Sequence, residues 1–346
     1  MSHRASVRLC LGLATALVIQ FSLSIFGQLL PEQISRESAR LKQIATEIGY
    51  EDKADQDNLL QEIETLNLAT QKGLEHYALH RLYRVWPMTS AYEAMKVNDK
   101  IDNKDLDGFE KHWKAAGVEL TEQEKQVSLK KLATQPLLVR ALGESALTQV
   151  HPLYQSSELF GQNTAPIYGR HYLGLAQGNL TFTLYCQNLN LPKPASSPAL
   201  RSFAPELKKL EAQVIKDYSQ PESKEFNTIY IVANVTLKQA WDLEKEKRYA
   251  GELFQLLEAT RVMGFVAAKT KDPQPLADQQ AQLAQWKQRL KTASGDQSLG
   301  LMFLEQAEYV QGVFSKSNNP DDLRRSTAVL EHVLPLYASL LKIKTP

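Results

Sequence analysis

Apolar side chains recur every three or four positions along most of the chain. Between 30 and 48, Ile34, Leu41, Ile44 and Ile48 are spaced by seven, three and four, while Glu32, Arg36, Glu37, Arg40, Lys42 and Glu47 take the other faces. That period predicts a helix with one buried stripe. A second stripe (Leu60, Ile63, Leu66, Leu74, Tyr77, Ala78, Leu82) predicts a long helix over 57–86, stopped by Pro87. Residues 98–108 read as a charged loop or helix start. Thr121, with Glu124 three positions on, has the form of a capping box and predicts a helix over 121–134. Gln135-Pro136 then breaks the chain and opens an apolar helix through Val150. Further helical patterns cover 199–218, 224–246, 247–269, 276–292, 297–315 and 321–342, the last capped by Asn319 ahead of Pro320.

Two stretches carry a competing signal. Leu180 to Cys186 alternates with period two, and Phe226 to Val235 is rich in β-branched residues. Both also fit a helical period, through Leu173, Ala176, Leu180 and Leu184 in the first and Ile229, Val232, Thr236, Ala240 and Leu243 in the second. Two strands among a dozen helices would lack partners, so helix is expected in both.

The pattern changes character at the N-terminus. Residues 9–26 carry no charge and follow Arg4 and Arg8. As a helix they would reach about 27 Å, near the apolar thickness of a bilayer. The flanking charge predicts a cytoplasmic N-terminus and an exported body. The length of the apolar core and the lack of an Ala-x-Ala site favour a retained anchor over a cleaved signal peptide. The fold class that follows is all-α: an N-terminal transmembrane or signal helix, then stacked antiparallel helical hairpins, solenoid-like but without a repeat consensus. The expected division is 1–27 as anchor or signal, 28–191 as an N-terminal helical region and 199–346 as a C-terminal one. The proline-rich run at 192–198 separates the two regions.

Composition narrows the function classes. Lysine plus arginine (40) almost balances aspartate plus glutamate (39), so no global field recruits nucleic acid. The two cysteines, Cys10 in the apolar stretch and Cys186, make neither a disulfide scaffold nor a CxxC centre. Between 136 and 190 the only full charges are Arg140, Glu144, Glu158 and Arg170. Such a segment either lies at the centre of the fold or forms a weakly charged concave surface.

Candidate chemistry is fragmentary. His76 and His80 are one helical turn apart and could share a metal, but a zincin needs glutamate where Tyr77 stands. Asn103, Asp105, Asp107 and Gly108 match the start of a calcium loop, yet Lys114 occupies the position of its bidentate glutamate, so a helix-capping acidic loop is the better reading. Gly143-Glu144-Ser145 opens like a nucleophile elbow, but Leu147 replaces the second glycine. Gly174-x-x-x-Gly178 would let two helices approach closely. No cofactor and no catalytic residue is expected.

The most site-like group is His151, Tyr154, Tyr168, Arg170, His171 and Tyr172, which cluster around Pro152, Gly161, Pro166 and Gly169 in the low-charge segment. Tyrosine, arginine and histidine are residue types that anchor partners, and loops on a helical scaffold often carry them. The expected function is an exported, membrane-associated helical scaffold with a protein partner, held at the membrane through 9–26. The competing expectation is an exported enzyme or small-ligand binder with its site near Tyr168, Arg170 and His171.

Overall fold

The computed structural model describes residues 30–47, 53–96, 105–163, 165–194 and 196–343. Every regular element among them is helical. In chain order these are α1 (30–47), α2 (Lys53–Gln71), α3 (Glu75–Lys96), α4 (Leu106–Glu124), the single turn α5 (Leu129–Leu132), α6 (Leu137–Asn163) and α7 (Pro166–Asn188). After an extended stretch come α8 (Ala204–Tyr218), a 3₁₀ turn (Pro221–Phe226), α9 (Asn227–Lys245), α10 (Tyr249–Lys269), α11 (Leu276–Thr292) and α12 (Ser298–Ser317). The last helix runs from Pro320 to Leu340 as α13 (Pro320–Thr327), a π turn (Ala328–Val333) and α14 (Leu334–Leu340). Both ambiguous stretches are helix, lying in α7 and α9. The predicted membrane segment 9–26 falls outside the described residues. Among those described, no helix is long and apolar enough to cross a membrane.

α6 runs on past its expected end at Val150, through Pro152 to Asn163, and three further boundaries differ from expectation, each for a local reason. The helix predicted over 57–86 is two helices. Gly73, at φ +70°, closes α2 in a Schellman turn: its N–H donates to Thr70 C=O at 3.0 Å and that of Leu74 to Ala69 C=O at 3.0 Å. Pro87 does not end α3 but sits inside it. It lies where α3 crosses α7 against the Gly174/Gly178 pair. A Cβ on Gly178 would stand 2.6 Å from Pro87 Cα, and one on Gly174 2.6 Å from Ala91 Cα. Backbone-to-backbone packing at this crossing offsets the hydrogen bond that proline removes. Thr121 starts no helix either. Asp105 caps α4 much earlier, its Oδ1 accepting from Gly108 N–H at 2.9 Å, and the Thr121 hydroxyl turns back to donate to Gly117 C=O at 2.8 Å. The π turn precedes Pro335, whose missing N–H and ring bulk widen the helix locally.

The low-charge segment is central. α6 buries residues on all sides from Leu137 to Thr148, as does α10 from Ala250 to Ala259. One apolar core runs from Leu30 to Ala338 and includes Leu189 and Phe203, on either side of the extended stretch. That stretch is pinned where Asp296 N–H donates to Ser196 C=O at 3.1 Å.

Helix N-termini meet this core with an unusual solution. Four of them take a cap from a side chain distant in sequence, and of these only α8 also has one from its own neighbour, Ser202 Oγ accepting from Ala204 N–H at 3.3 Å. Asp296 Oδ2 accepts from Leu137 N–H at 2.5 Å to start α6, while its Oδ1 accepts from Ser298 N–H at 2.9 Å to start α12. Ser298 Oγ accepts from Leu138 N–H at 3.0 Å. Glu305 of α12 accepts from Tyr77 N–H at 2.9 Å at the head of α3. Glu144 of α6 accepts from Gly251 N–H at 2.9 Å at the head of α10. Glu252 of α10 accepts from Phe203 N–H at 2.8 Å, just before α8.

Glu252 is fully buried beside Glu244, and its carboxyl is pushed from an ordinary 4.5 up to about 9, first by desolvation and then by hydrogen bonding with Glu244. A carboxyl raised in the folded state contributes stability that is complete below pH 4.5 and lost as pH rises through about 9. Glutamine keeps the acceptor for Phe203 and cannot ionise. Thermal melts from pH 5 to 9.5 are therefore expected to show the wild-type midpoint falling with pH and a flatter profile for Glu252→Gln.

Candidate functional site

The six residues singled out in the sequence lie on the α6–α7 hairpin, and they lie on its helices rather than on loops. α6 continues through Pro152 to Asn163, and α7 begins at Pro166. The hairpin closes tightly because Gly161 and Gly169 face each other, with Gly161 Cα 2.7 Å from where a Gly169 Cβ would lie. The Phe109 ring of α4 fills the space that side chains at both glycines would need.

This geometry scatters the predicted group. His151 is exposed and pairs with Glu124 at 3.2 Å. Tyr154 stacks on Trp113 of α4 with centroids 4.8 Å apart and planes 8° apart, and its hydroxyl donates to Trp113 C=O at 3.3 Å. His171 points the other way, edge-on to Tyr92 of α3 at 5.9 Å. Burial lowers its pKa, with Asp55 of α2 opposing. Arg170 is only 4% exposed, and its Nε and Nη2 have no hydrogen-bond partner. Desolvation lowers its pKa, against the pull of Asp105. Tyr172 stacks face to face on Phe160, centroids 4.6 Å apart.

Of the six, His151 and Tyr168 are exposed, and Tyr168 (52% exposed) is the one in the α7 turn that closes the hairpin. Around the hairpin end stand exposed apolar residues that sequence reading missed: Leu159, Phe160 and, at the start of α4, Leu106. Leu159 is 59% exposed. The signal available in the sequence was the Leu159-Phe160 pair immediately before Gly161.

The other candidates resolve into structural roles. His76 and His80 diverge. His76 Nδ1 lies 2.7 Å from Glu305 Oε1, and Glu305 holds its pKa above the ordinary value despite desolvation. His80 is buried against Phe254, its rings 5.7 Å apart, and burial lowers its pKa to about 4. The nearby Glu258 pairs with Arg261 at 2.8 Å, which keeps its carboxyl ionised despite burial. Among the described residues no group of three or more histidine, cysteine, aspartate or glutamate side chains could hold a metal ion. Ser145 lies buried inside α6, and Glu144 beside it is the cap of α10. Lys114 pairs with Glu110 at 2.5 Å.

Ligand-sized grooves lie away from the predicted group. One of about 610 Å³ runs past Trp86 between α1, α3, α4 and α7, lined by Glu37, Glu93 and Glu119. Another of about 600 Å³ lies at the end of α8.

No protein-family model, curated protein or solved structure matches the chain.

Burying an arginine whose nitrogens lack partners carries a cost that an apolar side chain of similar length avoids. Arg170→Met is expected to leave the thermal midpoint unchanged or raise it. A fall of several degrees would mean that Arg170 makes a needed polar contact.

Proposed function

We propose that the chain is a non-catalytic helical scaffold that docks a protein partner on the apolar end of its α6–α7 hairpin. The observation that carries this reading is the exposure of Leu106, Leu159, Phe160 and Tyr168 together, at the end of a hairpin whose interior is rigidly packed. Rigid aromatic anchors on a fixed backbone bind at low entropic cost. The small-ligand reading fares worse, because Arg170 is closed off behind this surface and His171 faces α3. The helices serve as stacked hairpins, solenoid-like in their chain order. The N-terminal segment 9–26 is the proposed membrane tether, with the body exported; its charge-free length after Arg4 and Arg8 supports this.

A photoreactive phenylalanine analogue placed at Tyr168 in the full chain tests the docking. It is expected to give one discrete protein adduct in native membranes. Phe160→Ser should weaken that partner's binding by about 2 kcal/mol, roughly 30-fold, with helical circular dichroism unchanged. Absence of any adduct from a folded, membrane-localised chain would refute the proposal.

A further inference from the structure

We propose that the joint between the head of α3 and α12 is a pH-gated latch, closed while Glu75 and His76 hold protons and released as they give them up. His76 Nδ1 lies 2.7 Å from Oε1 of Glu305 on α12, and Oε2 of the same carboxyl accepts from Tyr77 N–H at 2.9 Å. Glu305 thus ties α12 to a side chain and to the backbone of α3 at once. Both partners are largely closed to water, His76 at 15% exposure and Glu305 at 14%. Glu75, the first residue of α3, is half-buried.

The charged groups that act on His76 are Glu305, Glu75 and Asp296, all acidic. Those that act on Glu75 are His76 and Glu305. Cations of the adjoining helices are engaged elsewhere. Lys72 stands over the Tyr309 ring at 5.6 Å, Arg81 pairs with Glu62, and Arg261 pairs with Glu258 at 2.8 Å. His76 is therefore the cation of this joint. Desolvation would lower its pKa, but its three acidic neighbours raise it above 6.5. Burial, opposed by His76 and reinforced by Glu305, pushes Glu75 from 4.5 up to about 7. Both groups are raised in the folded state. Glu75 therefore contributes stability that is complete below pH 4.5 and lost as pH rises through about 7, and His76 contributes stability complete below pH 6.5 and lost above it.

With both protons gone, three carboxylates share the joint and no cation remains among them. Asp296 is fixed by the N–H groups of Leu137 and Ser298, and Glu75 by its place at the head of α3. Glu305 relieves the repulsion by turning to water. That movement frees Tyr77 N–H and removes the polar tie, leaving α3 and α12 with apolar contacts such as that of the Tyr77 and Tyr309 rings at 5.2 Å. His80, one turn further along α3, has a pKa of about 4 and stays neutral through this range. The inference does not depend on the hairpin-end docking proposed above and shares no residue with it.

The test is amide exchange of Tyr77 in the full chain, each rate divided by the intrinsic rate of its sequence at that pH. The reference is the Gly251 amide, held in the same way by Glu144, which pairs with Arg140 at 2.7 Å. At pH 6 the two amides are expected to exchange alike, through global unfolding. At pH 8.5 Tyr77 is expected to exchange about tenfold faster than Gly251, the effect of one pKa unit of lost interaction. Glu75→Gln and His76→Gln should each reduce that difference, and the double variant should abolish it. Equal exchange of the two amides at both pH values in the wild type overturns the proposal, because the titration then acts on the whole fold and not on the joint. An undiminished difference in the folded double variant overturns it too. Should the variants fail to fold, the wild-type comparison alone decides.

Discussion

Acid side chains in and beside the core that accept hydrogen bonds from the heads of distant helices are the constraint on which this fold rests. A helix start inside a core leaves N–H groups that water cannot reach, and each unpaired group costs about 1–3 kcal/mol. Here Asp296, Glu305, Glu144 and Glu252 meet those groups from other helices. An ionised carboxylate at such a head also suits the positive end of the helix dipole, whereas Glu252, its carboxyl raised to about 9, accepts as the neutral acid. Each contact works as a register pin, because a helix shifted by one residue would present its amide to the wrong place. Asp296 is the most economical of them, joining the heads of α6 and α12 with one side chain.

These pins explain why the two sides of the extended stretch behave as neighbours. Glu305 reaches from α12 to α3, Asp296 from before α12 to α6, and Glu144 from α6 to α10. The apolar core follows the same route. Glycines then set how closely the central helices approach: Gly174 and Gly178 against α3, and Gly161 against Gly169. With the interior so tightly specified, the surfaces left for recognition are the hairpin ends and outer faces, where large apolar side chains remain exposed.

Helix type and most helix limits were legible in the sequence because they are local properties. α11 matches its predicted range of 276–292, and α9 and α10 divide where expected although Lys247, at φ +56°, takes the position that glycine usually fills. What failed were the features that depend on distant residues. Pro87 reads as a helix stop until Gly178 is known to lie against it. Thr121-x-x-Glu124 reads as a cap until Asp105 is seen to have started α4. The site suffered for the same reason. Its six residues were grouped by closeness along the chain, but on a helix neighbours in sequence point in different directions. Arg170 and His171 accordingly turn toward α4 and α3, leaving Tyr168 outside.

Amide hydrogen exchange of the folded chain reads the capping contacts most directly, through the N–H groups of Tyr77, Leu137, Phe203 and Gly251. If buried acids hold these helix heads, the four amides exchange as slowly as those in the middle of α6 and α10, through global unfolding. Exchange at the rate of an uncapped, solvent-exposed helix end would contradict the architecture described.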